Sequence, residues 1–332
     1  MDILTHGLLG ASLAQSAAQP REARIAAGVG LAAGLLADAD ALIRSSSDPL
    51  LELEFHRHFT HALAFVPVGA LIAAAILWPF LRRRIAFPRL YLYAFLGYAL
   101  AGFLDACTSY GTHLFWPFSG ERVAWNLVSI VDPVFTLLLA VPLAVGIARR
   151  QPHVARVGLV LAAGYLALAY VQHERAESAA RALAVERGLR AERLLVKPTF
   201  GNILLWRSIV VAEGRMYVDG IRVGPGAARI YRGESAALFD PARDLAWAPA
   251  ESSARRQAER FVRFADGYAT RHPSRPELVG DARYAMLPTA IAPLWGIVYE
   301  AERPDAGVRF VTNRALTPET RQRFFDMLLG RP

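Results

Sequence analysis

Five apolar runs occupy the first half of the chain, at residues 25–36, 62–81, 90–104, 134–148 and 157–171. Each approaches the roughly 20 residues that carry a helix across a bilayer. A shorter run, residues 8–18, precedes them. Backbone polar groups in lipid must be paired within their own segment, so runs of this kind are expected to be helices. With 54% hydrophobic and 20% charged residues over 332, and a mean hydropathy of +0.27, the balance is too apolar for an ordinary soluble protein. The second half holds no comparable run. The expected architecture is a mainly α polytopic membrane domain of about five to six apolar helices over residues 1–172, followed by a small α+β soluble domain over residues 173–332.

Met1-Asp2 lacks the basic start and small-residue cleavage site of a secretory signal, so residues 8–18 are expected to stay in the mature protein. Cys107 is the single cysteine, which excludes a fold built on intrachain disulfides. Arginines near membrane ends tend to stay cytoplasmic. Arg21 and Arg24, then Arg82, Arg83, Arg84 and Arg89, then Arg149, Arg150 and Arg156 fall in alternate loops and mark that side. The chain start, the loops at 44–60 and 108–126, and everything after about His173 are then expected on the periplasmic side of a bacterial inner membrane.

On that map the candidate ligands share one face. His6 starts the first segment, Asp38 and Asp40 end the second, His56, His58 and His61 lead into the third, Asp105 and His113 follow the fourth, and Asp132 opens the fifth. Imidazoles and carboxylates gathered beside a bilayer can bind a transition ion or relay protons. Simpler roles compete. Asp132 before Pro133 suits a helix cap, Thr60 suits a cap for a helix beginning at His61, and His113 beside Trp116 suits an interfacial aromatic belt. Asp38 and Asp40, two residues apart, serve one site only if the helix ends there, and the Ser45-Ser46-Ser47-Asp48-Pro49 turn offers an ending. His153 and His173 read as solvated.

Asp2-Ile3-Leu4-Thr5-His6-Gly7, Ala37-Asp38-Ala39-Asp40, His56-Arg57-His58-Phe59-Thr60-His61 and Leu104-Asp105-Ala106-Cys107-Thr108, with Trp116-Pro117-Phe118-Ser119 beyond, together resemble the YdjM/YbcI family. These are bacterial inner-membrane proteins described as membrane-bound metal-dependent hydrolases. The resemblance implies a metal site at His6, Asp38, Asp40, His56, His61 and Asp105, with His58, His113 and Asp132 as auxiliary candidates. Two departures stand out: Ala37 where the family tends to have proline, and Ala101 where it tends to have histidine.

Mixed imidazole and carboxylate ligands suit a divalent ion such as zinc or manganese, with iron a further option. Such an ion favours hydrolysis. No His-Glu-x-x-His, Gly-x-Ser-x-Gly or P-loop pattern occurs, which disfavours the common protease, serine hydrolase and nucleotidase readings. The expected function is therefore a membrane-bound metal-dependent hydrolase with a lipid or lipid-linked ester or phosphodiester as substrate. The alternative is a non-enzymatic membrane protein with a structural or sensed metal, or a proton relay.

From His173 onward, 25 Lys and Arg face 19 Asp and Glu, spread rather than clustered, and no nucleic-acid motif accompanies them. The bilayer is the expected partner, and nucleic acid is not. Residues 203–212 and 215–223 read as a hairpin about Glu213-Gly214, residues 294–300 and 308–312 as strands, and residues 176–189, 252–264 and 318–329 as helices.

Overall fold

The computed structural model describes every residue except Ser46, Ala301, Glu302 and Ala315. Ser46, part of the expected turn after Asp40, thus lies outside the described residues. Helices dominate the first half: α1 (Ile3–Ser16), α2 (Ala23–Leu36), α3 (Leu51–Phe55), α4 (Val66–Leu81), α5 (Phe87–Tyr98), α6 (Ala101–Ala106), α7 (Pro133–Arg149) and α8 (Pro152–Glu186). Among the described residues four helical stretches are long and apolar enough to cross a membrane: Pro20–Leu42, Leu63–Leu81, Phe87–Ala106 and Pro152–Glu186. Pro133–Arg149 is a shorter apolar helix. The chain falls into two compact units. The first is Met1–Ile43, Phe55–Val171 and Phe200–Ile203, and the second is Arg44–Glu54, Gln172–Thr199 and Leu204–Pro332.

Small residues let the helices of the first unit approach closely, the usual device where lipid gives no hydrophobic drive for helix pairing. A Cβ at Gly10 would stand 2.5 Å from the carbonyl oxygens of both Gly30 and Gly97, so α1, α2 and α5 meet backbone to backbone. Gly34 matters most for the site. A Cβ there would lie 2.6 Å from the His6 carbonyl oxygen. The missing side chain brings α2 onto α1 one turn before Asp38.

The ends of these helices follow local chemistry. Asp2 caps α1 by accepting from the Thr5 amide at 3.1 Å, and Asp132 caps α7 by accepting from Val134 and Phe135 at 3.1 Å. After Leu36 the chain tightens into a 3-10 turn, Ala37–Leu42, which ends α2 before Asp38. The helix expected to begin at His61 does not form. Phe59–His61 and Leu63–Phe65 are separate 3-10 turns and α4 starts at Val66. The Thr60 hydroxyl, expected as its cap, donates to Asp40 Oδ2 at 3.0 Å instead.

The second unit holds two antiparallel sheets. One runs in the order β1 (Arg193–Pro198), β2 (Leu205–Ala212), β3 (Arg215–Arg222), β4 (Arg229–Ala237). The other runs β5 (Ala269–His272), β6 (Arg275–Asp281), β7 (Trp295–Tyr299), β8 (Val308–Thr312). The expected hairpin is β2–β3, with Ala212 opposite Arg215. Glu213 and Gly214 both have positive φ, 52° and 71°, as a two-residue hairpin turn requires. Helices α9 (Pro241–Asp244), α10 (Ser253–Phe264) and α11 (Pro318–Leu329) complete the unit. Thr317 caps α11 at its start and Gly330 ends it in the left-handed conformation.

The helical extension read at residues 176–189 is the end of the 35-residue α8, which stops at Glu186, and no Gly or Pro interrupts residues 165–186. One expectation is corrected here. His173 is not solvated: its Nε2 donates to the Val196 carbonyl at 3.1 Å and its ring centroid lies 5.5 Å from that of Trp206.

Candidate metal centre

Four elements of the first unit supply the centre. His6 projects from the second turn of α1, Asp38 and Asp40 from the 3-10 turn after α2, His61 from the turn before α4, and Asp105 from α6. His6, His61 and Asp105 are 1%, 1% and 0% exposed, and one ligand atom from each lies within 4.8 Å of the others. His6 Nε2 is 3.0 Å from Asp105 Oδ1, and His61 Nε2 is 3.2 Å from Asp105 Oδ2. Asp38 completes the ring: its Oδ2 accepts from His6 Nδ1 at 2.8 Å and its Oδ1 stands 3.7 Å from His61 Nε2.

Asp40 plays a different part. Its Oδ2 lies 3.2 Å from His61 Nδ1 and accepts from the Arg57 amide at 2.6 Å and from Thr60 Oγ1. Its Oδ1 faces His56 Nδ1 at 3.3 Å. The two aspartates do not converge on one point. They flank the His61 ring from its two nitrogens, which is how residues two apart both reach the centre.

A carboxylate can only accept, and here carboxylate oxygens face both nitrogens of His6 and both of His61. A neutral imidazole carries one proton, so one lone pair on each ring meets an oxygen unless a cation or an extra proton lies between. Nδ1 of His61 faces Asp40 and Nδ1 of His6 faces Asp38, leaving the two Nε2 atoms directed at Asp105. His61 Nε2 and Asp105 Oδ2 are buried and make no hydrogen bond despite their 3.2 Å separation. Burial pulls the His61 pKa down, but Asp38, Asp40 and Asp105 outweigh it and raise it from 6.5 to about 9. Three carboxylates surround the ring, and the Arg57 guanidinium and the Met1 amino group offset part of their charge at Asp105. Two imidazoles, each held at Nδ1 by a further carboxylate, together with the Asp105 carboxylate fit a divalent transition ion.

Arg57 is the residue that sequence reasoning passed over. It is 3% exposed, and its guanidinium donates to Thr108 Oγ1 and to the Met1 carbonyl, each at 2.9 Å. Its Nε is 3.1 Å from Asp105 Oδ2, and the Met1 amino group also lies against Asp105. Its backbone sits at φ 60°, unusual for a side chain with a Cβ. The fold holds it there at both ends: the amide donates to Asp40, and the carbonyl accepts from the His113 amide and from Thr112 Oγ1. The only signal in the sequence was its position between His56 and His58.

The other candidates are distributed as follows. His56 is half-buried at the edge of the centre and meets Asp40 alone among its carboxylates. His58 and His113 pair with each other, ring centroids 4.5 Å apart, and neither belongs to the three-residue group. Asp132 caps α7 and accepts from the Tyr165 hydroxyl at 2.9 Å. Ala101 packs in the apolar core beside Tyr98 and Ala94.

A family model described as YdjM inner membrane protein matches residues 1–176, over half of the chain. The chain is also similar to an uncharacterized protein, YfhP, of Bacillus subtilis (strain 168). They are 25% identical over 226 residues, 66% of this chain and 67% of that protein. No solved structure matches.

Proposed function

The chain belongs to the YdjM inner membrane protein family, and from that premise we propose that it is a membrane-bound metal-dependent hydrolase acting on a lipid or lipid-linked ester or phosphodiester. The observation that carries the reading is the unbonded approach of His61 Nε2 to Asp105 Oδ2, both buried, with buried His6 and half-buried Asp38 beside them. His6 Nε2, His61 Nε2 and Asp105 would hold the ion, zinc or manganese, with Asp38 as a fourth donor. When bound, such an ion lowers the pKa of water toward roughly 7 and polarises a carbonyl or phosphoryl oxygen. Asp40 orients His61 and keeps the proton on its Nδ1. Arg57 adds a fixed positive charge beside Asp105, suited to charge that develops on a substrate oxygen.

As a multi-pass inner-membrane protein the chain lives in the bilayer, and its substrate is read from that setting. The arginine pattern of the short loops supports a periplasmic centre and a periplasmic soluble domain at residues 173–332. Complete burial of His6, His61 and Asp105 favours a second reading, a closed structural or sensing metal site without turnover.

Metal analysis of the purified full-length protein, paired with a screen of lipid esters and phosphodiesters, tests both. Stoichiometric metal that His6→Ala and His61→Ala abolish, with turnover that vanishes alongside it, is the expected result. Metal without turnover on any ester selects the structural reading. Metal-free protein after reconstitution sinks both.

A further inference from the structure

The loop that joins Asp40 to the histidine segment is longer than its own ends require. Asp40 Oδ2 accepts from the Arg57 amide at 2.6 Å across seventeen positions of chain, and Asp40 Oδ1 faces His56 Nδ1. Helix connections in bundles usually take about 2–8 residues. Here the extra chain leaves the first unit after Ile43 and rejoins it at Phe55, and Arg44–Glu54 between them belongs to the second unit.

Two devices hold that segment in the second unit. Leu50 is 2% exposed and shares an apolar cluster with Phe239, Leu245 and Phe261. Arg260, from α10, forks onto Glu54 Oε1 and Oε2 at 2.8 and 2.6 Å and reaches Asp48 Oδ2 at 2.9 Å. Asp48 Oδ1 in turn accepts from the Leu50 amide at 3.1 Å. One guanidinium thus fixes carboxylates on both sides of Leu50, in the planar bidentate geometry that suits arginine better than lysine. All three side chains are half-buried, so salt screens the pairing less than it would at the open surface.

We propose that Arg260 is a positioning residue for the metal centre: by holding Asp48 and Glu54 it fixes the loop whose two ends carry Asp40 and residues 56–61, and makes the folded second unit a regulator of the centre. The clamp touches no donor and acts through the chain. It sets the fraction of molecules in which Asp40 is closed on the Arg57 amide, and an apparent metal affinity scales with that fraction. The coupling is reciprocal, so a bound ion tightens the clamp in turn. Its effect on metal rests on the metal-centre reading, whereas its effect on the closure of Asp40 does not.

The test is hydrogen–deuterium exchange of the peptide covering residues 56–61 in metal-free full-length protein, with zinc affinity by chelator competition as the second readout. Arg260→Met is expected to speed exchange there and to weaken zinc binding, each by about threefold to tenfold, the scale of one half-buried charge-assisted pair. Arg260→Lys restores part of both, and Arg263→Met, which removes an exposed charge from the same helix, changes neither. Inserting Gly-Ser-Gly-Ser between Ile43 and Arg44 keeps β2 and β3 protected, yet speeds exchange at residues 56–61 as Arg260→Met does and cancels any further effect of that substitution. Faster exchange confined to residues 44–54 and α10, with residues 56–61 unchanged, overturns the proposal, and so does an insertion without effect. If Arg260→Met unfolds the second unit, seen as lost protection of β2 and β3, the insertion decides alone. A wild type that takes up no zinc refutes the metal reading and leaves exchange to judge the clamp.

Discussion

Asp40→Asn isolates the orienting role of one carboxylate from ligation itself. The substitution preserves volume, and Asp40 is only 2% exposed, so the amide has nowhere to turn but the same four contacts. With its oxygen in place of Oδ2, it still accepts from the Arg57 amide, Thr60 and His61, which keeps the turn closed. What disappears is the negative charge behind His61 Nδ1. Losing the partner of a metal-bound imidazole typically weakens metal affinity by about 10–100-fold, or about 1.4–2.7 kcal/mol. Because a neutral amide oxygen also accepts less strongly than a carboxylate from the Arg57 amide, held at 2.6 Å, the upper half of that range is expected. The assay is competition of full-length protein in detergent against a calibrated chelator for zinc. Thr60→Val is the control, since it removes one hydrogen bond to the same oxygen without touching the charge, and it should cost less than tenfold. An Asp40→Asn affinity within twofold of wild type would refute the assignment.

Three further outcomes follow. A Cβ at Gly102 would stand 1.9 Å from the His61 carbonyl oxygen, so Gly102→Ala should displace that turn, cost about 1–3 kcal/mol and lower metal content, read by thermal melting and elemental analysis; wild-type metal content would count against the packing argument. Lys197 is 9% exposed, and burial, with Arg207 and Arg283, pushes its ammonium down from 10.5 to about 7. The unfolded chain therefore binds more protons between those values, stability rises with pH from about 7 to 10.5, and Lys197→Met should flatten the slope in melts taken across that range; an identical slope defeats the assignment. Cys107 is buried, so in a Cys107→Ala background a cysteine at exposed position Phe118 should react with an impermeant maleimide on intact spheroplasts if the centre is periplasmic; labelling only after lysis reverses the topology.

The helices were legible because lipid leaves apolar chain few alternatives, and the hairpin at Glu213-Gly214 because its turn demands positive φ. Strands β1, β4, β5 and β6 were not. Their polar residues, such as the run from Arg232 to Ser235 in β4, give no clean alternation, since sheet pairing rather than pattern fixes them. At the site, placement at segment ends put His6, Asp38, Asp40, His56, His58, His61, Asp105, His113 and Asp132 on one face, and the family resemblance narrowed them to a set of six that includes the His6, Asp38, Asp40, His61 and Asp105 found together in the structure. Their division of labour was invisible. Which aspartate faces Nε2 and which Nδ1 depends on the 3-10 turn at Ala37–Leu42, and that turn has no strong sequence signal. Arg57 was hidden for the same reason: a backbone angle imposed by distant partners leaves no mark on the chain itself.

The order in which the centre's residues leave the ribosome has its own consequence. Ninety-nine residues separate His6 from Asp105. At roughly 5–20 residues per second, about 5–20 s pass between synthesis of the first donor and the last. Throughout that interval His6 and the two aspartates enter the membrane without their final partner. The cluster is therefore complete only on the arrival of α6, and on the proposed metal reading an ion would be acquired at the end of membrane insertion. A chain arrested before Asp105 should insert its early helices yet hold no ion, which makes arrested nascent chains a clock for when the site comes into being.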